Sequence, residues 1–237
     1  MPNNALVRKS IKGSKIKKNQ NKDSPVLHPL KKLYSLKRGE ISRRLKEFKR
    51  LWLEGKDEEI FVELAFCILT PQSKAKVCWN SIERLREKNL LFKGSPEEIR
   101  EGIRDVRFKN KKADYLIKAR NFFSKNGRIY IKSVLLQFKD IRECREWLIR
   151  NITGLGYKEA SHFLRNIGLG EKIAILDRHI MRNLKEFNII KEIPKSLSRS
   201  QYLDIEKKML CFSRKINIPL SHLDLLLWYK ETGEIFK

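Results

Sequence analysis

Lys158 and Asp177 stand in the stretch NITGLGYKEASHFLRNIGLGEKIAILDRHI, residues 151–180, the lysine just after a Gly-Leu-Gly turn and the aspartate before a helical pattern. An amine that has shed its proton is a nucleophile toward an electrophilic carbon. A fixed carboxylate stabilises positive charge developing at such a carbon, or accepts a proton. The pair therefore suits displacement through a covalent lysine intermediate. Asp177 also follows the apolar run KIAIL and precedes RHIMRNLKEF, so it reads as an N-cap, a role worth about 1 kcal/mol and compatible with the chemical one.

The elements around the pair give it a setting. Leu148, Ile152, Gly154, Leu155, Gly156, Ala160 and Phe163 frame two helices joined by a turn in which the two glycines allow positive φ and close backbone approach. That pattern is a helix–hairpin–helix. Amides of the hairpin and of the next helix's first turn lack intrahelical acceptors and can hold a DNA phosphate without reading sequence. Ala160, Phe163, Leu164 and Ile167 make the apolar stripe of the second helix, which turns Lys158 outward toward whatever the hairpin binds. The positive end of the helix dipole disfavours an ammonium there.

Composition supplies the partner. Lys and Arg number 53 against 28 Asp and Glu, a formal charge of +25 over 237 residues. Thermophile surfaces rich in lysine usually balance it with glutamate, so this excess points to a polyanion, nucleic acid above all. Residues 1–38 hold eleven Lys or Arg and a single acid, Asp23, and read as a disordered basic arm ahead of a globular region at 39–237. Cys67, Cys78, Cys144 and Cys211 are widely spaced with no CxxC pair, which argues against a zinc or iron–sulfur site and for four buried, reduced thiols. No run approaches the ~18 apolar residues of a membrane span and no signal peptide is legible, so an intracellular protein of cytoplasm or nucleoid, without membrane contact, is expected.

From Ile41 onward the periodicity is helical. Capping boxes are expected at Ser95 with Glu98, Asp140 with Glu143 and Ser198 with Gln201, a further cap at Ser221, and a stop at Gly233. One helix starts at Asp57 and is interrupted by Pro71; the next runs from Gln72 to about Lys88. The runs RIYI (128–131) and KIAIL (172–176) are too few for a sheet. The fold class is all-α, with about ten helices.

GLGYKEASHFLRNIG followed by AILDRHI resembles the helix–hairpin–helix and catalytic aspartate of the endonuclease III superfamily of DNA glycosylases. More narrowly, ELAFCILTPQSKAKVCW, VRFKNKKADYL, REWLIRNITGLGYKEASHFLRNIG, LDRHI and LDLLLWYKETGEIFK are similar to the type 2 8-oxoguanine DNA glycosylases of archaea and some thermophilic bacteria, from about residue 36 to the last residue. The resemblance implies a two-lobed helical glycosylase fold with the catalytic cleft between the lobes, no iron–sulfur cluster, no metal or organic cofactor, and action on double-stranded DNA that contains 8-oxoguanine or abasic sites; oligomeric state stays open, with monomer the default. It implies that Lys158 attacks C1′ and displaces the base, that Asp177 stabilises the oxocarbenium charge, and that the Schiff base then permits β-elimination. It further implies that Gly154, Leu155 and Gly156 hold a DNA phosphate and that Gln72 fills the gap left by the flipped nucleotide. Arg107 and Phe108 would face the opposite base, Trp228 would stack on the damaged one, and the carboxylate of Lys237 would read its donor edge. The choice of 8-oxoguanine rests on resemblance alone. A glycosylase for oxidised pyrimidines or an adenine mispair, and a non-catalytic helix–hairpin–helix binding module, are the alternatives.

Overall fold

Leu30, Ile41 and Phe48 recur on one face of an otherwise polar stretch, and burying that face makes the first element, α1 (Leu27–Glu54). The computed structural model describes residues 27–237. Residues 27–38, expected as part of the arm, are instead the first turns of α1, and the rest of that expectation falls on residues 1–26, which lie outside the described residues. Charge hid this start. Leu27, Leu30, Leu33 and Tyr34 pack into a hydrophobic core, and Tyr34 Oη lies 3.1 Å from His222 Nδ1.

The next helix, α2 (Asp57–Leu69), is buried without interruption from Ile60 to Leu69, as its continuous hydrophobicity predicts. Three acids occupy its first turn, favourable at the positive end of the helix dipole, and Glu59 accepts the Lys56 N–H at 2.9 Å. Around α2 stand α3 (Ala75–Glu87), α4 (Leu90–Lys93), α5 (Pro96–Gly102), α6 (Lys109–Phe122), α7 (Ile131–Leu135), α8 (Ile141–Asn151) and α9 (Tyr157–Asn166). Then come α10 (Arg178–Glu186), α11 (Arg199–Ile216) and α12 (Leu220–Thr232), making twelve helices among the described residues. The only strands described are β1 (Ser124–Lys125) and β2 (Arg128–Ile129), an antiparallel pair with Ser124 opposite Ile129, turned by Asn126 and Gly127 at φ +51° and +73°.

Two hydrophobic cores result. One gathers side chains from Ile60 to Ile173, contributed by α2 through α9; the other joins α1 to α10, α11, α12 and Ile235. Phe236 packs on the first core, so the last residues bridge the two.

The capping boxes at Ser95 and Ser198 form with both reciprocal bonds. Asp140 caps α8 through the Arg142 N–H at 2.8 Å, without Glu143. Ser221 is no cap, because α12 begins one residue earlier behind Pro219, which has no N–H to satisfy. Cys67, Cys78 and Cys144 are buried thiols, but Cys211 is exposed on the outer face of α11. Among the described residues no group of three or more His, Cys, Asp or Glu side chains is placed to hold a metal ion.

The segment KIAIL forms no strand because side chains take its backbone bonds. Glu206 Oε1 accepts the Ala174 N–H at 2.7 Å, Tyr202 donates its hydroxyl to Ala174 O at 2.8 Å, and that hydroxyl accepts the Leu176 N–H at 3.1 Å. Glu206 is itself fixed by a bidentate pair with Arg145, at 2.6 and 2.9 Å, both side chains almost wholly buried. Through this network α8 and α11 deliver Asp177 to its place.

Candidate active site

The hairpin between α8 and α9 needs one glycine for two reasons. Gly154 has φ +94°, and a Cβ there would lie 2.5 Å from the Tyr115 ring. Gly156 is different from the expectation: its φ is −100°, extended backbone open to any residue, and its N–H donates to Glu159 Oε2 at 3.2 Å. Leu155, between them, is buried and anchors the turn in the first core. Glu159 takes the Gly156 amide, whereas the remaining amides of the first turn of α9 have no acceptors within the helix.

Lys158 is the second residue of α9 and its side chain is 25% exposed. Nζ donates to Thr70 Oγ1 at 3.3 Å and lies 3.1 Å from Glu159 Oε1. Thr70 ends α2, where its hydroxyl donates to Cys67 O at 2.9 Å and so presents a lone pair to the lysine. The end of α2 and the start of α9 thus hold the amine between them.

Asp177 is the N-cap of α10. Its Oδ1 accepts the N–H groups of His179 and Ile180, each at 2.8 Å, which leaves Oδ2 outside the cap. No hydrogen bond among the described residues joins Asp177 to Lys158. Arg165, two turns beyond Lys158 on α9 and 6% exposed, sits 3.7 Å from Asp224 of α12. Burial pushes the Asp224 carboxyl up to about 6 against the pull of Arg165, and the charge of Asp177 adds to the rise.

Several buried polar atoms on α9 and α12 make no side-chain hydrogen bond: Arg165 Nη1, Asn166 Oδ1 and Trp228 Nε1. Each is a donor or acceptor that a polar ligand or water must satisfy. Burial, and then the positive charges of Arg165 and Lys158, hold the His162 ring well below its ordinary pKa and keep it neutral. Trp228 is half-buried and meets His179 edge-on with ring centroids 5.0 Å apart, two residues from Asp177. Lys237 points inward: its ammonium pairs with Glu63 and lies 3.4 Å from the Trp79 ring centroid, and Glu63 also accepts from Asn166 Nδ2 at 2.9 Å.

A second group forms on the turns between α2 and α3 and between α5 and α6. Gln72 is not the first residue of a helix. It sits exposed in a turn closed by the Ser73 N–H donating to Thr70 O at 3.0 Å, with φ +55°. Phe108 precedes α6 at φ +61° and is 51% exposed, outside the core, with the Arg107 guanidinium 5.0 Å from its ring centroid. The Arg107 N–H donates to Ser73 Oγ at 3.2 Å, which brings the two turns side by side.

Thr70, Glu159, His162, Arg165 and Asp224 escape the sequence reading. Only their three-dimensional neighbours mark them, although SHFLRN carries a warning in the polar Ser161, His162 and Arg165 on a helix that is otherwise core.

A family model described as 8-oxoguanine DNA glycosylase matches residues 41–218. An 8-oxoguanine DNA glycosylase/AP lyase of Fusobacterium nucleatum is 47% identical over 216 residues, 91% of this chain and 100% of that protein. The fold superposes on the Methanocaldococcus jannaschii 8-oxoguanine glycosylase/lyase solved in complex with a 15mer DNA containing 8-oxoguanine, with a TM-score of 0.79 and 39% identity, covering 89% of this chain and 100% of that one. It also superposes on the 8-oxoguanine DNA glycosylase of Thermotoga maritima, with a TM-score of 0.79 and 33% identity over 90% of this chain and 98% of that one.

Proposed function

This chain belongs to the 8-oxoguanine DNA glycosylase family, and from that premise we propose that Lys158 and Asp177 perform its two reactions, excision of 8-oxoguanine and cleavage of the strand at the resulting abasic site. The observation that carries the residue assignment is the seat of Lys158. It follows the phosphate-competent hairpin, is only partly exposed, and is held between Thr70 and Glu159. We place the cleft between the two hydrophobic cores, Lys158 on one side and Asp177 on the other.

Binding starts at the hairpin, where amides near Gly154, Leu155 and Gly156 take a phosphate. Extruding the damaged nucleotide costs a few kcal/mol, which the backbone contacts offset. Gln72 enters the gap, and Arg107 with Phe108 faces the opposite base. The flipped base stacks on Trp228 in a pocket whose polar wall includes Lys237.

Glu159 Oε1, 3.1 Å from Nζ, is within reach of the ammonium's proton. The freed amine attacks C1′ as the bond from C1′ to the base nitrogen breaks, and the electron pair leaves with the base. Oδ2 of Asp177 faces the positive charge that develops on the sugar. Opening of the sugar ring gives an iminium linked to Lys158; loss of a proton from C2′ then expels the 3′ phosphate and cuts the strand. The partner is double-stranded DNA carrying 8-oxoguanine or an abasic site, met by a single copy of the chain. No helix among the described residues is long and apolar enough to cross a membrane.

Borohydride trapping tests this reading. A covalent adduct is expected on a duplex with one 8-oxoguanine and none on a thymine-glycol duplex, and Lys158→Gln removes it. An adduct confined to the pyrimidine lesion would move the substrate class, and tight binding with no adduct and no base release on either duplex would leave only a binding module.

A further inference from the structure

Gln72 and Phe108 both adopt left-handed backbone, which side chains of these types enter only where their surroundings over-determine it. They occupy adjacent turns, and one buried ammonium organises both. Lys112 of α6 is 4% exposed, and its Nζ donates to Leu69 O at 2.7 Å, to Pro71 O at 2.7 Å and to Ser73 Oγ at 3.0 Å. An ammonium has three donors, and all three are spent on the segment that carries Gln72. Ser73 Oγ, which receives the third, also accepts the Arg107 N–H at 3.2 Å, so one hydroxyl joins the Gln72 turn to the loop of Arg107 and Phe108.

Filling space does not explain a lysine here. A buried ammonium with no carboxylate among its hydrogen-bond partners is costly, and an apolar residue of similar length would suit the core better. The cost is visible in its pKa, lowered to about 8, chiefly by burial. Lys112 grips the carbonyls on either side of Thr70, whereas the Thr70 hydroxyl that meets Lys158 has its own tie to Cys67 O.

We infer that Lys112 is a positioning residue for base extrusion: together with Ser73 it locks the Gln72 turn and the Arg107–Phe108 loop into one rigid two-pronged element that enters the duplex as a unit. This rests on the assignment of those residues to the DNA gap.

The test uses the full chain, with Lys112→Met, Ser73→Ala and Ser73→Thr compared by single-turnover excision from a duplex with 8-oxoguanine paired to cytosine. A 2-aminopurine next to the lesion reports extrusion by fluorescence, and borohydride trapping on a preformed abasic site reports Lys158 chemistry where no base must be extruded. Extrusion and excision at saturating enzyme are expected to fall about tenfold or more in Lys112→Met and about threefold in Ser73→Ala, with Ser73→Thr restoring the rate and abasic trapping staying within about twofold. Ser73→Ala carries the test if Lys112→Met does not fold. Equal losses on paired and abasic substrates, or wild-type extrusion in both variants, would overturn the clamp. Gln72→Ala run in parallel separates the two failures: a wild-type rate there overturns the gap assignment itself, whereas a slow Gln72→Ala beside fast clamp variants overturns only the role of Lys112.

Discussion

Asp177 holds two roles on its two oxygens, and two substitutions separate them. Oδ1 accepts from the His179 and Ile180 N–H groups at 2.8 Å, so Asp177→Ala strips α10 of its cap at a cost of about 1–2 kcal/mol. In a chain of 237 residues each kcal/mol moves Tm by about 2–4 °C, which places the alanine variant about 2–8 °C below wild type. Asparagine caps as well as aspartate and keeps an acceptor for both amides. Asp177→Asn loses only the charge at the positive helix end, about 0.3–1 kcal/mol, and should melt within about 4 °C of wild type. Both variants remove the negative charge facing the sugar, so both should lose about 10²–10³-fold in excision, the usual effect of deleting one preorganised electrostatic group. Melting curves and single-turnover excision of 8-oxoguanine at saturating enzyme read the two effects independently. An asparagine variant that excises at the wild-type rate would reduce Asp177 to a helix cap. An alanine variant that melts with wild type would show that α10 does not depend on it.

Other parts of the structure make equally definite claims. Glu206→Gln leaves Arg145 buried without its countercharge and weakens the bond to Ala174 N–H, so unfolding in urea should show a loss of about 3–5 kcal/mol; a loss under 1 would mean the pair is dispensable. Gly154→Ala forces a side chain into left-handed backbone and against Tyr115, and affinity for undamaged duplex should drop, measured by fluorescence anisotropy, whereas Gly156→Ala, at φ −100°, should bind far more nearly as wild type. Asp224 binds its proton more tightly in the folded chain, about 6 against 3.8, so the folded state holds more protons across that window and stability contributed by this group falls as pH rises through it. The difference in Tm between wild type and Asp224→Asn should therefore slope between pH 4 and 6 and be flat above about 7; a flat difference throughout would contradict the burial of that carboxyl.

The reactive stretch is legible in sequence because its signals are local. Gly154, the apolar stripe of α9 and the capping position of Asp177 all follow from spacing within a few residues. What stays hidden depends on contacts distant in the chain: Thr70 against Lys158, Arg165 against Asp224, and Lys237 turned inward to Glu63. KIAIL looks like a strand by its β-branched residues, but Glu206 and Tyr202 occupy its backbone groups, and no periodicity announces side chains that substitute for a ladder. The early start of α1 is masked for a compositional reason: basic residues crowd the segment and Pro29 interrupts it, which obscures Leu27, Leu30, Leu33 and Tyr34 at helical spacing. Gln72 and Phe108 have left-handed backbone, which intrinsic preference opposes, on turns tied by contacts distant in the chain, Lys112 to Leu69 and Ser73.

The central claim is that the amine of Lys158 is the atom that joins the sugar. Two other lysines compete for the role in principle, Lys112, whose pKa is lowered to about 8, and Lys237, partly buried beside Glu63. The decisive measurement is to trap the enzyme on an 8-oxoguanine duplex with borohydride, digest protein and DNA, and locate the sugar-modified residue by tandem mass spectrometry. The account predicts the reduced sugar remnant on Lys158 and nowhere else; finding it on Lys112, Lys237 or any other amine would contradict it.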